Sequence, residues 1–158
     1  MADWKKLVDE YVAAPAILRK AIAGMSHEQL LARPVAGKMS TLEVVVHLAD
    51  FDPIIADRMK RIIALDNPPL IGADDKLYTE KLHYHDRNLE EELAIIDLTR
   101  SQVARILRKL PDSAWARTGQ HSEKGPLTLE QMVALGTRHI VHHVKFIEEK
   151  RKALGLAV

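Results

Sequence analysis

The chain predicts an all-α fold: one four-helix bundle, in a single domain over residues 1–158. Three observations carry that expectation. Apolar residues recur at helical spacing along four long stretches. Most of those stretches open on recognisable helix-start signals. The core material is aliphatic: 47% of residues are hydrophobic, yet only two Phe, two Trp and three Tyr are among them. Leu, Ile, Val, Ala and Met, with 28% charged residues, suit a helical bundle better than stacked sheets. The length allows one sizeable core and is short for two.

The first helix is expected over Asp3–Ala23, with Leu7, Val8, Tyr11, Ile17, Leu18 and Ile22 as its apolar stripe. Pro15 should kink or break it, because its ring clashes with the preceding turn. A short turn of helix over His27–Leu31 precedes Arg33-Pro34. Ser40-Thr41-Leu42-Glu43 reads as a capping box, whose hydroxyl and carboxylate satisfy free backbone donors. It opens a second helix that continues past Pro53, with a kink, to about Leu65. The connection from Asp66 to Arg87 is too long for a structureless loop, which predicts a short extra helix over Asp74–Leu82. Asn88-Leu89-Glu90-Glu91 starts the third helix, expected to end near Leu110 before Pro111. Ala116–Pro126 reads as a plain loop, and no strand hairpin is expected anywhere. Thr128-Leu129-Glu130-Gln131 starts the fourth helix, and Gly155 is placed to terminate it.

Composition excludes several functional classes. With 23 basic and 22 acidic residues and no basic stripe interleaved with aromatics, nucleic-acid binding has little electrostatic support. There is no cysteine, hence no disulfide, no thiolate nucleophile and no Cys-ligated zinc. The opening MADWKKLVDEY lacks an apolar signal-peptide region, and no run approaches the ~20 apolar residues of a membrane span. A cytoplasmic protein without a membrane partner is the expectation.

The histidines carry the functional signal. In TRHIVHHVKFIEEKR, Leu129, Val133, Gly136, Ile140, Val144 and Ile147 share one face of the helix. His143 lies on the flank of that stripe and His139 one step further round, an i, i+4 pair able to reach a common ion. His142 points toward the polar side. On the second helix His47 sits where Val44, Leu48, Phe51 and Ile55 give way to Glu43 and Asp50. Three histidines with an open fourth position can form a catalytic metal site, and bundles build such sites from facing helices. The same residues also fit three interior histidines satisfied by neighbours. His27, His83 and His85 read as surface or loop residues. His121 lies in the loop leading to the last helix and could cover a site as a lid residue or proton donor.

GKMSTLEVVVHLADFD, followed by WARTGQHSEKGPLTLEQMVALGTRHIVHHVKFIEEKR, resembles the DinB/YfiT-like superfamily of four-helix metalloproteins. The ordered set of motifs spans almost the whole chain. The resemblance implies an up-down-down-up bundle, often a homodimer, with nickel or zinc held by His47, His139 and His143. It also implies thiol-dependent transferase, isomerase or metal-dependent hydrolase chemistry. Three positions depart from the family pattern: Met39 where Trp is common, Ile140 where Asp is common, and Phe146 where Gln is common. No ligand position is lost.

A divalent ion at that site would activate water for hydrolysis or bind the thiolate of a small thiol for transfer. A chain without cysteine would take that thiol from a cosubstrate, so the expected partners are a small-molecule substrate and a low-molecular-weight thiol. Asp50, three residues after His47, is the candidate general base or acceptor for a ligating imidazole. Arg58 and Arg61 could receive an anionic substrate. The rival expectation is a non-catalytic helical module that binds metal for stability, or none, in metal-binding or stress-response service.

Overall fold

A computed structural model describes residues 3–158. Met1 and Ala2, included in the expected domain, lie outside the described residues. Four long helices form the body: α1 Trp4–Ile22, α3 Thr41–Ala64, α5 Leu89–Leu107 and α6 Leu129–Ala153. Two short ones, α2 His27–Leu31 and α4 Asp75–Lys81, occupy the connections where short helices are expected.

Local chemistry explains these boundaries. Ser40 Oγ accepts from Glu43 N at 3.1 Å while Glu43 Oε2 accepts from Ser40 N at 2.7 Å, so the capping box of α3 is complete. Thr128 and Gln131 form the same device at α6. Asn88 Oδ1 accepts from Glu90 N and Glu91 N to start α5, and Asp74 Oδ1 accepts from Leu77 N to start α4. Gly155, at φ +70°, ends α6: its N–H reaches Lys152 O, and Leu156 N–H reaches Arg151 O. That is a Schellman motif. The third helix stops at Leu107, earlier than expected, because Lys109 N and Leu110 N switch to bonds three residues back.

The buried side chains form two apolar clusters. One contains Leu18, Leu48, Ile96 and Ile140; the other contains Val8, Met59, Leu107 and Met132. Helices α1 and α6 run from the second cluster toward the first, while α3 and α5 run the opposite way. The topology is therefore up-down-down-up.

Between the clusters lies one polar layer. Arg100, 1% exposed, donates to both carboxylate oxygens of Asp52 at 2.6 and 2.8 Å. It also donates to Tyr11 O and to Gly136 O, each at 2.8 Å. A single guanidinium on α5 thus bonds to α1, α3 and α6 at once. Neither Pro15 nor Pro53 interrupts its helix, so the expected break in α1 does not occur. Proline at position 15 has no N–H to give Tyr11 O, and Arg100 supplies the missing donor.

The 116–126 segment corrects the expectation of a plain loop. After a 3-10 turn at Asp112–Ala116, strand β2 (Thr118–His121) pairs antiparallel with β3 (Gly125–Thr128) and parallel with β1 (Pro69–Leu70). Gly125, at φ +72°, closes the hairpin after Ser122–Lys124 in a conformation side chains disfavour. Gly119 allows the sheet to lie on α3, since a Cβ there would stand 2.9 Å from Leu70 Cγ and 3.0 Å from Ile62 Cγ1. Four-residue strands containing Gly and Pro carry no readable alternation, and docking on α3 stabilises them instead.

Candidate metal centre

His47 comes from α3, His139 and His143 from successive turns of α6, and the two helices pack together. One ring nitrogen from each lies within 4.8 Å of the others. His47 Nε2 and His139 Nε2 are 3.1 Å apart, and the three ring centroids are separated by 4.6 to 5.1 Å. His142 is exposed and packs edge-on against Phe146, outside the cluster. The structure thus brings together the three histidines singled out in the sequence and leaves the fourth aside.

Burial sets the charge state. It pushes His139 down to about 3, helped by the neighbouring imidazoles of His143 and His47 and by Arg100. It pushes His143 down to about 3 as well, helped by His47 and His142. His47 is also lowered by burial, against the opposing charges of Asp75 and Asp50. At neutral pH the cluster is three neutral imidazoles. The Nδ1 atoms of all three are buried without a hydrogen-bond partner among the described residues. Three converging neutral nitrogen donors in a partly dry site fit a borderline divalent ion such as zinc or nickel.

A cavity of about 700 Å³ opens beside them. The histidines and Phe51 form one wall; the 71–75 segment and the hairpin turn at Ser122 and Glu123 form the other. Arg58 holds that second wall by donating to Ile71 O at 2.6 and 3.2 Å, and Ser122 Oγ accepts from Gly72 N at 3.0 Å. Arg58 is buried in this support role, and Arg61 pairs with Asp57, so neither lines the cavity beside the histidines.

Two expected site residues sit elsewhere. Asp50 does not serve an imidazole: both its oxygens accept from Arg87, at 2.8 and 3.0 Å, and Arg87 also binds Glu92. His121 is not a lid over the cavity. It is 6% exposed, and its Nδ1 accepts from Glu123 N and Lys124 N, fixing the hairpin turn. Its neighbours Ser122 and Glu123 reach the cavity instead. His85 is more than a loop residue, since its Nε2 lies 3.1 Å from Ser40 Oγ and 3.3 Å from Glu43 Oε1. Phe51, Asp75 and Glu123 were missed as site residues. Phe51, four residues after His47, was within reach of the helical wheel; the other two depend on how the connections fold.

The model of the DinB superfamily matches residues 10–147. Two relatives, each named "putative metal-dependent hydrolase", come from Oceanobacillus iheyensis and Bacillus subtilis. The first is 26% identical over 147 residues, covering 92% of this chain and 85% of its own. The second, YfiT, is 27% identical over 153 residues, covering 96% and 84%. The solved structure of Bacillus subtilis YfiT, described as a probable metal-dependent hydrolase with an unusual four-helix bundle topology, superposes with a TM-score of 0.91 at 25% identity. It covers 99% of this chain and 91% of that one. A mycothiol-dependent maleylpyruvate isomerase shares the fold, with a TM-score of 0.71 at 9% identity, over 90% of this chain and 60% of that one. The family match runs from α1 well into α6, and the bundle is reproduced end to end; this chain is YfiT-like and belongs to the DinB superfamily.

Proposed function

We propose that the protein is a divalent-metal-dependent enzyme, a hydrolase or a thiol-dependent transferase. Its metal, zinc or nickel, would be held by His47, His139 and His143. The observation that carries this reading is the convergence of three neutral imidazoles, with unpartnered Nδ1 atoms, on the wall of an open cavity. The names of the relatives support it. When bound, such an ion supplies Lewis acidity at a position open to water or a thiol. The chain's own residues shape that position. Phe51 lies against the His47 ring at 4.5 Å and keeps water from one of its faces, while the 71–75 segment bounds the substrate space.

The partners proposed are a small-molecule substrate, a low-molecular-weight thiol cosubstrate and a second copy of the chain; light scattering tests the last. No helix among the described residues is long and apolar enough to cross a membrane. The non-catalytic reading draws on the engagement of Asp50 and His121 elsewhere, which leaves neither free for proton transfer at the cluster.

Metal analysis of protein purified without a polyhistidine tag is the decisive first experiment. Near-stoichiometric zinc or nickel, lost in His47→Ala, His139→Ala or His143→Ala, is the expected result. Absence of divalent metal, with the variants unaffected, would overturn the site. Turnover on an ester, amide and thiol-transfer panel that disappears on chelation separates the enzyme from the non-catalytic module.

A further inference from the structure

Resting on the three-histidine reading, we infer that the cavity selects small organic molecules carrying a positive charge, a protonated amine in the simplest case. The charged residues that line it are Asp74, Asp75 and Glu123, and neither Lys nor Arg is among the lining residues. Asp74 uses one oxygen to cap α4. The side chains of Asp75 and Glu123 have no hydrogen-bond or ion-pair partner among the described residues. The basic groups nearby lie outside it: Lys124, Arg138 and Lys145 line a separate groove on another side of His139, and Arg58, whose charge reaches Glu123, is tied to Ile71 O behind the 71–75 wall.

Two further observations point to an organic cation rather than a second metal ion. The three carboxylates do not converge with one another or with the histidines: among the described residues, the histidine trio is the cluster whose ligand atoms meet. Spread carboxylates make a field rather than a chelate. Phe51 adds an aromatic surface to the same cavity, packed between His47 at 4.5 Å and Tyr78 at 5.5 Å. Aromatic rings beside carboxylates are the pairing that recognises ammonium groups. His47, 3% exposed, lines the same cavity, so a buried polar side chain belongs to its wall.

The test loads the full chain with cobalt, verifies the loading by elemental analysis, and follows the visible spectrum as ligands are added. The probes are three para-substituted pyridines near neutral pH: aminomethyl (cationic), methyl (neutral) and carboxymethyl (anionic). At low ionic strength the cationic probe should bind about tenfold tighter than the anionic one, and added salt should narrow the gap. Asp75→Asn with Glu123→Gln should bring the two within about twofold without changing affinity for the methyl probe. Equal binding, anion preference, or a preference unchanged in the double variant overturns the inference while leaving the three-histidine site standing. So does loaded protein that binds none of the probes. Failure to take up cobalt removes both readings, and elemental analysis distinguishes that outcome.

Discussion

Metal-free protein should lose stability as the pH falls, and the histidine cluster sets the window. An unfolded chain titrates its histidines near 6.5. Folded, His139 and His143 are held down to about 3 by burial and by neighbouring imidazoles. Between those values the unfolded state binds the extra protons, so stability is fully present above about 6.5, declines as pH falls, and levels off near 3. Each unit in that window costs about 1.4 kcal/mol per ring. At pH about 5 the pair therefore removes roughly 4 kcal/mol, a large part of a small domain's margin. Urea unfolding in chelator at pH about 7.5 and about 5 measures the loss. The same experiment on His139→Gln/His143→Gln supplies the background from every other group. Parallel losses in the two proteins would refute the reasoning. Zinc at the higher pH should raise the wild-type midpoint and leave the variant unmoved.

Arg100→Ala should cost about 3 to 5 kcal/mol in urea unfolding, because it strands buried Asp52 and two carbonyls. Replacing the pair together, as Asp52→Leu with Arg100→Met, should recover much of that loss. Gly119→Ala forces a Cβ against Leu70 and Ile62 and should cost about 1 to 3 kcal/mol, with hydrogen exchange rising first in the β1–β2 ladder. Thr128→Ala removes one half of the α6 capping box and should lower stability by about 1 kcal/mol, with Thr128→Asn close to neutral.

The helices were legible because their signals are local. Ser40 with Glu43, Asn88, Thr128 with Gln131 and Gly155 each act within four residues of themselves, and each is found doing so. The histidine trio was legible for a related reason: periodicity places His139 and His143 on one face, and His47 stands at the edge of another apolar stripe. What escaped depends on distant partners. Asp50 shares an edge with His47 on a wheel, yet a guanidinium 37 residues away takes both its oxygens. His121 looked free in a loop; the loop is a hairpin whose turn needs its Nδ1. Asp75 and Glu123 line one cavity because Arg58 and Ser122 hold the two connections in place.

An aliphatic bundle has a registration problem. A helix striped with Leu, Ile and Val can slip one turn, about 5.4 Å, against its neighbours and still bury its stripe. Pro15 gives α1 a landmark that such a slip would misplace. The carbonyl of Tyr11 lacks its helical donor, and the Arg100 guanidinium that supplies one is already anchored to α3 and α6. After a one-turn slip, Arg100 would face a carbonyl whose helical partner is intact, and the carbonyl Pro15 exposes would go unpaired. The proline that should weaken the first helix thereby sets where it stops along the bundle. The same guanidinium holds α3 and α6 in step, and those are the helices that bring His47 level with His139 and His143.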